Sequence, residues 1–154
     1  MPSIINATTT GGVVVSGDNS GVLQLQNNGT NALTLSSSNF QFNSGYGSVA
    51  TAFGCRAWVN FDGYTNTGGF CTIRGSGNVT TVADNGTGDY TVNFTTALPD
   101  VNFCAQYSIG ALDSNFWGPI PYIYSQATSS CRVRSVFDNG TFNDAGTSNV
   151  SIFR

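Results

Sequence analysis

Val79-Thr80-Thr81-Val82-Ala83, then Asp84-Asn85-Gly86-Thr87-Gly88-Asp89, then Tyr90-Thr91-Val92-Asn93-Phe94 is the stretch on which the fold turns. In the last run Tyr90, Val92 and Phe94 alternate with Thr91 and Asn93. A period of two puts the three large apolar side chains on one face of a strand and the two polar ones on the other. The middle run consists of residues that accept positive φ or bond their own backbone in tight turns. Together they read as an antiparallel hairpin with one buried face.

Working outward, the same signal recurs at short spacing, with Asn, Asp and Gly clusters between. Candidate strands are Arg56 to Phe61, Cys71 to Gly75, Val79 to Ala83, Tyr90 to Phe94, Asn102 to Ile109, Cys131 to Phe137 and Val150 to Phe153. Seven such strands suit an antiparallel β-sandwich or jelly-roll-like knob over residues 47–154. Helices are disfavoured by composition: Lys and Glu are absent, Gln and Leu are few, and β-branched and turn-forming residues dominate. The expectation is an all-β protein.

Residues 1–46 are low in aromatics and rich in Thr, Ser and Asn. Here Leu23 and Leu25 alternate with Gln, and Leu33 and Leu35 flank Thr34, across the loop Asn27-Asn28-Gly29-Thr30-Asn31. One hairpin face then carries all four leucines. A lone hairpin is marginal in water, so that face needs cover. Either it packs on the following domain, or three copies associate about an axis through Leu23, Leu25, Leu33, Leu35 and Val14. Ser36 to Ser48 reads as the joint, with Phe40 and Phe42 alternating inside it like part of a strand.

At 154 residues the chain has room for one ordinary domain plus a small appendage. Only 8% of it is charged, against about a quarter in an average domain. All five cations are Arg, all eight anions are Asp, and Lys, Glu and His are missing. Solubility then rests on Gly, Thr, Ser and Asn, which make up 71 of the residues. With 40% hydrophobic and 12% aromatic residues, plain disorder is excluded.

The missing residues remove chemistry. Without His there is no Ser-His-Asp or Cys-His nucleophile system and no His-containing metal site. Net charge is −3 and pI about 4.3, with scattered Arg, which argues against nucleic-acid binding. The longest apolar runs, such as Val13-Val14-Val15, are far short of a membrane span, and Met1-Pro2-Ser3 does not open a signal peptide. Synthesis and folding in the cytoplasm, without export or membrane insertion, is the expectation.

Asp84 and Asp89 can face each other at the hairpin end, as a Ca²⁺ or acid–base pair would. The loop lacks the further oxygen ligands of a calcium motif, so turn chemistry is the expected use, and no metal, cofactor or catalytic residue is assigned. Cys55, Cys71, Cys104 and Cys131 form no C-x-x-C pair, so zinc is disfavoured. Free thiols are favoured over any of the three possible disulfide pairings. Seven Asn-x-Thr/Ser sequences read as turn and strand composition. The aromatic stretch Phe116 to Tyr124 holds Pro119 and Pro121, which leaves a loop or edge strand carrying Trp117, Tyr122 and Tyr124 as candidate receptor or partner contacts.

The run Arg56-Ala57-Trp58-Val59-Asn60-Phe61-Asp62-Gly63, then Thr72 to Val79, Asp84 to Asp100 and the closing Val150-Ser151-Ile152-Phe153-Arg154 resemble short β-rich virion proteins of tailed bacteriophages. The likeness is to tail-fibre-like proteins of marine and cyanobacterial phages, in which this pattern forms a C-terminal knob. Ile5 to Thr10 and the leucine hairpin are similar to their low-complexity N-terminal parts. The resemblance implies a trimeric, non-enzymatic protein on the virion surface. The leading reading is a short homotrimeric appendage for host attachment, bound to a virion partner such as a tail or major capsid protein and meeting a host glycan or protein. The first alternative is a capsid-decorating or cement protein, and the second a carbohydrate-binding module.

Overall fold

The computed structural model describes residues 2–17, 19–36, 39–43, 49–110 and 119–154. Every element among them is a strand, and none is a helix long and apolar enough to cross a membrane. The chain divides into two compact units, Met1–Phe53 and Gly54–Arg154. This division falls later than the sequence boundary at residue 46, because a short strand after the joint still pairs with the first sheet.

Unit 1 is one six-stranded sheet. Its strands are β1 (Ser3–Thr8), β2 (Gly12–Ser16), β3 (Leu23–Asn27), β4 (Thr30–Leu35), β5 (Phe40–Phe42) and β6 (Ala50–Thr51), in the order β2-β1-β3-β4-β5-β6. Only the β1/β3 pair is parallel. The leucine hairpin is tighter than a five-residue loop: Asn28 and Gly29 alone make the turn, with φ of 49° and 77°. Positive φ at both central residues gives the twist that antiparallel strands need, and Asn-Gly supplies it at little steric cost. A bulge beyond Leu25 absorbs Ala32, so Leu23 still faces Leu35 and Leu25 faces Leu33.

Unit 2 comprises β7 (Cys55–Thr67), β8 (Phe70–Gly77), β9 (Val79–Gly86), β10 (Asp89–Phe94), β11 (Cys104–Ile109), β12 (Ile120–Ala127), β13 (Ser130–Val136) and β14 (Ser148–Phe153). They form one antiparallel sheet in the order β11-β14-β7-β8-β9-β10-β13-β12. Its two end strands return to lie side by side, with Gln126 of β12 donating to the Phe103 carbonyl just ahead of β11 at 2.7 Å. The expected all-β antiparallel sandwich therefore takes a near-barrel form. It has an eighth strand, β12, beyond the seven candidates, in the proline-containing stretch that reads as loop or edge strand. β12 ends the hydrogen-bonded order, where a proline removes least from the ladder.

Alternation fills the interior. Ala57, Val59 and Phe61 of β7 face Val150 and Ile152 of β14, while Tyr90, Val92 and Phe94 of β10 lie over Val82, Cys131 and Val133. Phe61 and Tyr90 meet edge to face with ring centroids 5.1 Å apart. The Tyr90 hydroxyl donates to Asp144 Oδ1 at 2.7 Å, and the same oxygen accepts the Gly88 amide at 2.6 Å. Ala145 is fully buried and its carbonyl accepts the Gly63 amide at 2.9 Å. Asp144 and Ala145 thus satisfy the buried polar groups around Tyr90.

Candidate functional site

Unit 1 contains no buried residue among those described. Its ladders nevertheless sort residues by polarity. Val15, Ile5, Leu25, Leu33, Phe42 and Ala50 form one unbroken row across all six strands. The neighbouring row carries Leu23, Leu35 and Phe40 on the same face. The opposite face carries Ser16, Ile4, Gln24, Thr34, Gln41 and Thr51 in register. There Gln26 donates to Gln24 at 3.2 Å and to Asn31 at 2.7 Å.

On the apolar side Val15 is 71% exposed, Phe40 45% and Phe42 42%. At a strand spacing of about 4.8 Å the row is about 24 Å wide, a contiguous apolar surface of the kind that marks an interaction site. All four sequence-selected leucines lie on it. Val14 does not: it pairs with Asn6 on the polar face, while Val13 and Val15 lie with the leucines. In Val13-Val14-Val15 only the pairing with β1 decides which valines face which way.

In unit 2, Tyr122 stands opposite Arg134 on β13, and Tyr124 occupies a bulge beside it. Arg134 lies over the Tyr124 ring, its Cζ 3.4 Å from the centroid, so one face of that ring is taken. Arg132 and Arg134 both reach Asp89, with N–O distances of 2.7 Å each. Burial opposes charge on Asp89, but hydrogen bonds from Arg132, Arg134 and Asn85 outweigh it and hold the carboxyl below its ordinary range. Trp117 lies outside the described residues.

Asp84 and Asp89 do not act as a pair. Asp84 accepts from the Gly86 amide and from Asn66, while Asp89 serves the two arginines. The four cysteines are free thiols, with Cys55 and Cys104 exposed and Cys71 and Cys131 buried. Burial pushes Cys71 up to about 12, assisted by Asp84, Asp144 and Asp62, and pushes Cys131 up to about 11. Both are poor nucleophiles, because the thiolate is the reactive form.

Trp58 is the residue that the sequence does not single out. Inward-facing Ala57, Val59 and Phe61 oblige it to face outward together with Asn60, and it is 46% exposed. An aromatic at an outward position of an otherwise polar alternation is the signal that identifies it.

No family model matches the chain, and no curated protein matches it. Among solved structures, the phiAB6 tailspike, crystallised with three-repeated oligosaccharides of Acinetobacter baumannii surface polysaccharide, is similar in fold. The TM-score is 0.50 at 12% identity, over 99% of this chain and 27% of that one. The chain spans about a quarter of the tailspike it matches. At this identity the likeness is one of fold: the protein is all-β and phage tailspike-like in architecture.

Proposed function

We propose that the protein is a non-enzymatic structural component of a bacteriophage virion, a short homotrimeric tail-associated appendage for host attachment. In this reading unit 1 assembles three copies, and unit 2 is the knob exposed to the host surface. The observation that carries it is the six-strand apolar row of unit 1, backed by a polar opposite face. A sheet with one apolar face and no buried residue is stabilised when identical sheets close their apolar faces around an axis. Few charges leave little like-charge repulsion between copies. The tailspike-like architecture supports a tail location over the head.

Imaging of intact particles with antibody against unit 2 tests the reading. Tens of copies or fewer at the tail are expected. Hundreds of copies over the head mean a decoration protein instead, and absence from the particle overturns the virion reading.

A further inference from the structure

A shallow cavity of about 530 Å³ opens on the outer face of β7, β14 and β11. The ladders set its side chains in two rows, Trp58–Ser151–Gln106 and Asn60–Asn149–Ser108. Asn60 donates to the Asn149 side-chain oxygen at 2.6 Å, which fixes both amides. Among the described residues the side chains of Gln106, Ser108 and Ser151 and the indole NH of Trp58 make no hydrogen bond, and none of them is a buried unpartnered group, so their donors and acceptors are open to a ligand. The far edge of the trough, on β11, is about 10 Å from β7, two strand spacings. No charged residue lines it, and Arg56, two positions before Trp58, stays outside the lining.

Trp58 is held in place by what is missing beneath it. The indole lies lengthwise over Gly77 and Gly75 of β8. A Cβ on Gly77 would come 2.5 Å from its Nε1, and one on Gly75 would come 3.4 Å from its far edge. Glycine at these positions lets the ring rest on the sheet with its support below and its other side open. A fixed aromatic surface loses little rotamer freedom when something stacks on it.

Such a site selects its ligand class. An open indole favours the C–H face of a ring, and side-chain amides and hydroxyls offer donors and acceptors together. Sugar hydroxyls are also both donor and acceptor, whereas a phosphate or carboxylate finds no cation in the lining. We propose that this trough binds an uncharged oligosaccharide, with one pyranose ring stacked on Trp58 and the hydroxyls of the sugars that follow it across the trough bonded to the Asn60–Asn149 pair, Ser151 and Gln106. As a host-glycan site it rests on the attachment reading above. The binding chemistry is tested separately from the location on the particle.

The test titrates the full-length protein with neutral gluco-, manno-, galacto- and N-acetylglucosamine oligomers to millimolar concentration, and with a polyuronate hexamer, by calorimetry and tryptophan fluorescence. At least one neutral oligomer is expected to bind. Trp58→Ala and Gly77→Ala, which lifts the indole off its floor, are each expected to weaken binding tenfold or more. Gln106→Ala should weaken it several-fold, and Tyr64→Phe, at an exposed position outside the trough, should leave it unchanged. If Trp58→Ala does not fold, Gln106→Ala and Ser151→Ala carry the test from exposed and half-exposed positions. The proposal is overturned if no neutral oligomer binds, if only polyuronate binds, or if a bound neutral oligomer is indifferent to Trp58, Gln106 and Ser151. A protein found at the tail whose glycan binding ignores Trp58 loses this site and keeps its function. A protein absent from the particle that still binds through Trp58 does the reverse.

Discussion

Both units are made from the same neutral, turn-rich composition, and both place apolar side chains on alternate positions of their strands. They differ in what those positions face. In unit 2 eight twisted strands curl until the ends of the sheet meet, so Phe61, Tyr90, Val133 and Ile152 lose their water within one chain. In unit 1 six strands remain a single layer, and Ile5, Leu25 and Phe42 keep theirs. Alternation makes an apolar face; closure decides whether the same chain covers it. Unit 2 is therefore stabilised from within, whereas in the proposed trimer unit 1 draws its stability from other copies.

The largest effect expected from this contrast is on assembly. Replacing Leu25 and Leu33 with Asp puts two carboxylates into the apolar row, and the oligomer should fall to single chains by sedimentation while the thermal transition of unit 2 stays in place. An unchanged mass would break the distinction between the units. Next comes Phe61→Ala, which leaves a cavity at the centre of unit 2 and should cost about 3–5 kcal/mol in denaturant unfolding of that unit. A much smaller loss would mean that unit 2 also leans on an external partner.

Acid sharpens the comparison further. Asp89 has a depressed folded-state pKa, so its stabilising contribution is present above the unfolded value of about 3.9 and is lost as pH falls through the lower folded value. Unfolding of unit 2 should show a midpoint that is steady from pH 7 to about 4 and declines below it, and Asp89→Asn should flatten that decline. No carboxylate lies in the apolar row of unit 1, so its association should be less sensitive over the same range. The smallest effect is on thiol reactivity. Cys55 and Cys104 should label quickly in the native protein, and Cys71 and Cys131 only on unfolding, read by mass spectrometry.

Much of this was legible in the residues, for physical reasons that can be named. Tyr90-Thr91-Val92-Asn93-Phe94 shows its inward face because period two is written out without interruption, and all three large residues are buried. The leucine hairpin shows its face in the same way, and even its pairing survives a bulge. Val13-Val14-Val15 has no alternation to read, so its facing depends on pairing with β1. The stretch around Pro119 and Pro121 reads as loop or edge strand because proline disfavours only a central strand, and β12 takes the second of these at the end of the sheet. Trp58 belongs to the trough through two glycines on a neighbouring strand and partners on two others, a conjunction that only the fold assembles.

In the proposed trimer the apolar face of unit 1 is covered by two other copies of the chain. Analytical ultracentrifugation of the full-length protein at micromolar concentration tests it most directly. The predicted result is one species at three times the 16.1 kDa chain mass. A stable particle of one or two chains, with the strand content intact, would contradict it.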